Sequence, residues 1–242
     1  MDALFIFMVI ILVASILQTS TGFGFSIMAT PFLLYLFRPQ EAIQINIILS
    51  LIISIALMWK IRSEVDFQLF KRFTLGSLFG IPLGIVIFLI MNLSIFKLSV
   101  SCLLLFLTLL LIVKFKIKAT PFRDYIIGGL SGVLTTSIGM PGPPLLLYFT
   151  GTATKKEKLR ATTLAFYLFI YFVSLLTQIT FAGTSKLIWE SSLFVIPVVI
   201  LGLLLGNYLF TLFTEKIFRI TTYILLCSSG LYLLLDSIID LF

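Results

Sequence analysis

The chain has 242 residues, 60% of them hydrophobic and 11% charged, and it carries a net charge of +7. A soluble domain of this size surrounds its core with charge, whereas here the charges fall in short clusters between long apolar runs, as in bilayer spans joined by loops. The positive balance does not point to nucleic acid, because the basic residues stand at loop ends with no aromatic residues interleaved on a polar face.

From the N-terminus, Ala3 to Leu17 is apolar and passes into Gln18-Thr19-Ser20-Thr21-Gly22 without a small-residue cleavage site, so it reads as part of the mature protein rather than a leader. Apolar chain resumes to residue 37, which makes 3–37 two shorter helices meeting at a polar break from Thr19 to Ser26. Full-length spans follow at 41–60, 70–91 and 95–114, each long enough for about 30 Å of hydrocarbon. A second broken region, 125–151, is interrupted from Thr135 to Pro144, and three more spans follow at 157–182, 190–213 and 216–236. Each break is followed by a helix-start signal, Thr30-Pro31 and Gly142-Pro143, with proline at the first helical position where its missing N–H costs nothing. Cys102 and Cys227 lie inside apolar runs and read as inert packing residues, not a disulfide.

The halves resemble each other. Pro31-Phe32-Leu33-Leu34-Tyr35 answers Pro144-Leu145-Leu146-Leu147-Tyr148, Glu41 opens a span as Glu157 does, and Gly80 with Gly84 matches Gly202 with Gly206. An internal duplication follows. Four clusters hold 14 of the 17 basic residues: Lys60, Arg62, Lys71, Arg72; Lys114, Lys116, Lys118, Arg123; Lys155, Lys156, Lys158, Arg160; and Lys216, Arg219. If each broken region enters and leaves on one side, all four clusters face the cytoplasm, while Arg38, Lys97, Lys186 and both termini lie outside. The first half then starts outside and the second inside. The expected fold is all-α: a polytopic membrane protein of two inverted repeats, each a broken, re-entrant helical pair plus three full transmembrane helices. It forms a single transmembrane domain over 1–242, with repeat 1 at about 1–118 and repeat 2 at about 119–242.

In hydrocarbon a helix is broken only where protein or water satisfies the freed backbone groups, so the two breaks are the candidate site. They supply Gln18, Thr19, Ser20, Thr21 and Ser26 from the first and Thr135, Thr136 and Ser137 from the second. Gly22, Gly24, Gly139 and Gly142 allow close backbone approach. A helix N-terminus carries about half a positive charge with unpaired N–H donors, so two of them facing each other favour an anion. The following spans add Gln44 and Asn46 in one half and Arg160, Thr162 and Thr163 in the other. Gln44 and Asn46 read either as site walls or as interhelical hydrogen-bond partners, and Arg160 as an interface anchor or a ligand. The glycine pairs are packing motifs, and the phenylalanines lipid-facing filler.

The chain has no histidine, which excludes zinc-protease motifs, Ser–His hydrolysis and histidine proton relays. The acidic residues lie at span ends or in loops, leaving no buried acid to carry protons, and Walker motifs are missing. Neither enzymatic activity nor a cofactor or metal is expected.

Two motifs, Gln18-Thr-Ser-Thr-Gly-Phe-Gly-Phe-Ser26 and Gly139-Met-Pro-Gly-Pro-Pro144, each precede a hydrophobic helix and a span starting near Glu41 or Glu157. In this the chain resembles the TauE/SafE family of sulfite exporters. Arg160-Ala-Thr-Thr163 also resembles the stretch that follows the second motif in that family. The resemblance implies a duplicated helical carrier for sulfite, sulfonates or related sulfur compounds, with efflux as its direction. Phe23 and Phe25, or Met140 and Pro141, stand where many members carry consecutive glycines, which implies a differently shaped pocket.

The expected function is secondary transport of a small anion by alternating access, with an anion channel or a non-transporting subunit of a membrane complex as alternatives. The expected partners are the bilayer of the plasma (inner) membrane and a small anionic substrate. A homo-oligomer stays open, and nucleic acid is not expected.

Overall fold

The computed structural model describes residues 2–90, 92–113, 118–152, 154–212 and scattered positions between 220 and 235. Its elements are α1 (Asp2–Thr21), α2 (Phe25–Leu36), α3 (Pro39–Ile61), α4 (Phe67–Ile90), α5 (Leu93–Ile112), α6 (Pro121–Ile138), α7 (Gly142–Gly151), α8 (Lys156–Ala182), α9 (Lys186–Phe194) and α10 (Ile196–Leu212). A single 3-10 turn, Arg62–Glu64, joins α3 to α4, and no strand occurs among the described residues. Ala3–Thr21, Pro39–Glu64, Phe67–Ile90 and Lys156–Ala182 are each long and apolar enough to cross a bilayer, and α9 with α10 makes a fifth candidate as a bent pair. The protein is therefore an all-α polytopic membrane protein.

Three of the expected helical elements differ from the fold or lie outside the described residues. The span expected at 190–213 is two helices bent by 46°. Pro197, at the second position of α10, has no N–H for the Leu193 carbonyl, so a straight helix cannot be completed there. Thr30-Pro31 does not start a helix: α2 begins at Phe25, directly after Gly24 in a left-handed conformation (φ 112°), and Pro31 lies inside it. The span expected at 216–236 lies largely outside the described residues, as do Lys114, Lys116, Lys216 and Arg219.

Among the described residues, the closest helix crossings run between the halves. A Cβ placed on Gly80 of α4 would come within 2.1 Å of the Gly129 carbonyl oxygen of α6, so only glycine lets these backbones touch. One turn on, a Cβ on Gly84 would meet the Val133 carbonyl oxygen at 2.7 Å and Thr136 Cβ at 2.8 Å. The crossing of α10 over α1 repeats this arrangement, with Gly206 facing the Ile16 carbonyl oxygen at 2.6 Å and Thr19 Cβ at 2.7 Å. Both glycine pairs thus serve packing, as their spacing implied.

Polar contacts sort the helix ends onto two faces. On one, Lys158 Nζ pairs with Asp66 at 2.7 Å, the Asp66 amide donates to Thr162 Oγ1 at 3.0 Å, and Arg72 pairs with Asp124 at 2.9 Å. Tyr148 Oη donates to the same Asp124 at 2.5 Å. This basic face therefore gathers the starts of α4, α6 and α8 with the end of α7. On the opposite face Gln40 Nε2 donates to the Ala182 carbonyl and Gln44 Nε2 to the Gly183 carbonyl, each at 2.9 Å. There the Phe7 ring, near the start of α1, meets Phe37 just past α2 with centroids 5.2 Å apart. Hairpin α1–α2 thus returns to the face it enters from, and hairpin α6–α7 does the same from the other side. Asp124 corrects the expectation that no acid is buried: it stands at a span end, but α4 and α7 cover it to 1% exposure. The phenylalanines are not all lipid-facing either, since Phe23, Phe25, Phe73, Phe149 and Phe166 are core residues.

Introducing a methyl group at Gly80 should cost about 1–3 kcal/mol through overpacking. The thermal midpoint of Gly80→Ala in detergent should fall accordingly. Gly129→Ala, whose Cβ would stand 3.4 Å from its nearest neighbour, should change stability by less than about 0.5 kcal/mol. Equal midpoints for both variants would contradict the close crossing.

Candidate functional site

The first helix of each hairpin ends on a glycine for the same reason. Gly22 (φ 85°) and Gly139 (φ 72°) turn the chain through the left-handed region that side chains disfavour. Their amides close the last turns on Gln18 and Thr135 carbonyls at 2.8 and 2.9 Å. Each is covered by the long helix that follows the other hairpin. Gly22 leaves room for Arg160, whose Cα would lie 2.7 Å from an added Cβ, and Gly139 leaves room for Ile43 and Asn46. These contacts pair Gly22 with Gly139 and Ile43 with Arg160. In that register Pro144 falls opposite Ile27 rather than Pro31, so the sequence match between the two Pro-to-Tyr segments is one helical turn out of step.

Most polar groups expected at the site hold the breaks together. Thr21 Oγ1 donates to the Leu17 carbonyl at 2.6 Å and accepts from the Phe23 amide at 3.3 Å, while Ser20, Thr135 and Ser137 bond carbonyls of their own helices. Gln18 Nε2 reaches the Ser50 carbonyl at 3.0 Å, and Asn46 Nδ2 reaches the Gly139 carbonyl at 2.8 Å. Thr136 shares a 2.8 Å bond with Ser174, and its carbonyl accepts from Gln178 Nε2. Two candidates lie at the helix ends instead: Gln44 ties α3 to the end of α8, and Thr162 anchors the Asp66 loop. Arg160, 4% exposed, donates to Asn207 at 3.3 Å and stacks 4.2 Å over Phe210, which fastens α8 to α10.

A second set of groups is buried with no partner among the described residues, and it includes the hydroxyls of Thr19, Ser26, Ser50, Thr163, Tyr167 and Tyr171, Arg160 Nε, and the side-chain oxygens of Gln18, Asn46 and Gln178. Tyr167 and Tyr171 are fully buried, stand one turn apart on α8, and have ring centroids 5.0 Å apart. The Tyr167 hydroxyl occupies the space a side chain would need at Gly142, the first residue of α7, at 2.6 Å from that Cβ position. Tyr171 faces Ser26, in the first turn of α2, and Ser50 of α3, the polar groups nearest its hydroxyl. The two helix starts are themselves neighbours, because the Gly142 Cβ position lies 3.6 Å from Phe23 Cβ and 3.7 Å from Ile27 Cδ1. Sequence reasoning brought Ser26 and Gly142 to this point but missed Tyr167, Tyr171 and Ser50. Tyrosines four residues apart and a lone serine in apolar chain were the available signal.

The two helix starts are not equivalent donors. In α2 the first turn is Phe25-Ser26-Ile27, with three amides, whereas in α7 it is Gly142-Pro143-Pro144, in which only Gly142 has an N–H. Above the second break a cavity of about 320 Å³ opens toward the opposite face, lined by Arg38, Gln40, Ile43, Phe88, Ser137 and Ala182. Ile43 both lines this cavity and covers Gly139, so the cavity approaches the break.

A membrane-spanning helical fold built on two broken hairpins, with a buried polar centre between them, belongs to the solute transporters. Residues 7–233, nearly the whole chain, match the family described as Sulfite exporter TauE/SafE, and the protein belongs to that family of membrane transporters. No curated protein and no solved structure matches it.

Removing the Asn46 amide leaves the Gly139 carbonyl buried and unsatisfied, at a cost of about 1–3 kcal/mol. Asn46→Ala should therefore unfold at a lower temperature in detergent, and an unchanged midpoint would mean that this bond does not hold the second break.

Proposed function

We propose that the protein is a secondary transporter of a small anion, sulfite or a related sulfonate, which it exports by alternating access around a site between inverted repeats. One observation carries the reading: the first turns of α2 and α7 meet in a buried centre lined by unpartnered hydroxyls, where a low dielectric strengthens every donor facing an anion. The repeats are supported by the matched coverings of Gly22 and Gly139 and by the matched glycine crossings of α4 on α6 and α10 on α1. The 320 Å³ cavity serves as the outer vestibule, with Arg38 at its rim drawing in or releasing the anion. The basic face is cytoplasmic, both termini are outside, and the protein resides in the plasma (inner) membrane.

Purified protein in liposomes should take up sulfite or a short sulfonate saturably and show counterflow under defined proton and sodium gradients. Uptake without saturation or counterflow marks a channel, and no movement of any anion defeats the reading. A charge at the centre provides a sharper test. Thr136 is engaged with Ser174 and packed on Gly84, so Ser26 is the better position. Ser26→Asp should abolish transport near neutral pH, because a carboxylate on the first turn of α2 competes with the cargo for the same donors. Ser26→Ala should keep a measurable fraction, since one hydrogen bond is worth about 1–3 kcal/mol. Activity of Ser26→Asp should recover toward pH 5 if the acid becomes neutral there, and normal transport at all pH values would exclude an anion site at α2.

Orientation has its own test. In a protein with Cys102 and Cys227 replaced by serine, a cysteine at Ser185 should react with an impermeant thiol reagent on intact cells. A cysteine at Lys118 should react only after permeabilisation. Labelling of position 118 from outside would refute the proposed inverted arrangement.

A further inference from the structure

We infer that Tyr167 and Tyr171 are substrate-binding residues that complete the donor set of the two helix starts and select an anion bearing several oxygens. This rests on the anion-transport reading above and deepens it.

Pro143 and Pro144 remove two of the three amides that the first turn of α7 would offer, so this terminus keeps its dipole but only one N–H. The Tyr167 hydroxyl is placed where it supplies a second donor, against Gly142, and the absence of a side chain there is what admits it. Tyr171 stands one turn along α8 and faces Ser26 on the first turn of α2. One rigid helix therefore presents one phenolic donor to each hairpin. Both hydroxyls are fully buried; that of Tyr167 has no partner among the described residues, and that of Tyr171 has only the Ser26 and Ser50 hydroxyls within reach. A buried hydroxyl that is unpaired or poorly paired costs stability, so these two weaken the fold and are better satisfied by a ligand that offers acceptors. Two donors on neighbouring turns reach separate acceptor atoms, which a sulfite or sulfonate group provides while the amides of α2 and Gly142 take the remaining oxygen.

Tyr148 is the natural contrast. Its hydroxyl donates to Asp124 on the basic face, away from the helix starts, and so has a structural partner already.

The test compares Tyr167→Phe, Tyr171→Phe and Tyr148→Phe in purified protein, with sodium sulfite and methanesulfonate as probes. Two readouts are taken: thermal unfolding with and without each probe, and KM for uptake in liposomes. For Tyr167→Phe and Tyr171→Phe the empty protein should unfold at the wild-type temperature or higher, while the probe-induced stabilisation shrinks. KM should rise roughly ten- to a hundredfold, as expected for a lost bond to a charged acceptor. Tyr148→Phe should do the reverse, lowering the empty protein's midpoint and leaving KM near wild type. If the Phe variants at 167 and 171 fail to fold, or melt well below wild type, the hydroxyls are structural and the inference is wrong. The same conclusion follows if they fold and bind the probes as wild type does. A wild-type protein that neither binds nor moves any anion removes the underlying reading, and this inference with it. Wild-type transport with unaffected Phe variants removes this inference alone.

Discussion

A helix interrupted inside hydrocarbon exposes carbonyls on one side of the break and amide hydrogens on the other, and the fold is organised around what satisfies each set. The carbonyl ends are closed by protein. Glycine amides turn back onto them, Asn46 reaches the Gly139 carbonyl, Gln178 reaches that of Thr136, and Gln18 ties the end of α1 to α3. Each side-chain amide therefore acts through its NH₂ group. The amide ends, the starts of α2 and α7, have no side-chain cap, and the hydroxyls of Ser26, Tyr167 and Tyr171 stand beside them, while the side-chain oxygens of Gln18, Asn46 and Gln178 are buried without partners at the carbonyl ends. In the proposed reading the uncapped N–H groups give the centre its positive sign.

Closing the carbonyl ends requires helices to approach more tightly than ordinary side chains permit. The glycines of α4 and α10 supply this, and they do so at Thr136 and Thr19, at the start of the two breaks as the sequence places them, the second and first residue respectively. Each break is thus clamped on one side by a helix from the other half and on its turn by the long helix following the other hairpin, α3 or α8. Hairpin and scaffold are interleaved, so moving one hairpin shifts contacts made by both halves.

How much of this was legible follows from where the physics is local. Apolar length and charge clusters depend on composition alone, and α1, α3, α4 and α8 are found where hydropathy placed them. The breaks were legible because hydroxyl and glycine runs are anomalous in apolar chain. Pro31 misled because proline opens some helices and is tolerated inside others, and only the left-handed Gly24 shows that α2 has already begun. Tyr167, Tyr171 and the cover over Asp124 were illegible, since a tyrosine in a span is ordinary until its hydroxyl is seen to lack a partner, and burial at a span end depends on a neighbouring helix. Gln44 and Asn46 looked alike in sequence, two residues apart on α3, yet one serves the end of α8 and the other the second break. Two positions on a helix lie about 200° apart around its axis, which no hydropathy profile reports.

The links holding the two faces shut differ in kind, and this bears on the proposed cycle. On the basic face they are charged. Burial alone would raise the Asp66 carboxyl, but bonds from Lys158 and from the Leu69 and Gln68 amides outweigh it and hold it below the ordinary carboxylate range. A group lowered in the folded state contributes its stability above the ordinary value and loses it only as pH falls through the lowered one, so the link is intact at neutral pH. Arg72, Asp124 and Tyr148 form a second charged link, joining the returning arm of hairpin α6–α7 to α4 and α6. Among the described residues the opposite face is held by neutral bonds from Gln40 and Gln44 to the end of α8, and it already carries the cavity that approaches the second break. Hydrogen bonds between neutral groups are about half as strong as charge-assisted ones, so parting the helices on the cavity side disrupts less than parting them on the basic side. In the proposed cycle the outward opening is therefore the easier one, and the inward opening, through which an exporter takes up its cargo, is the more costly step.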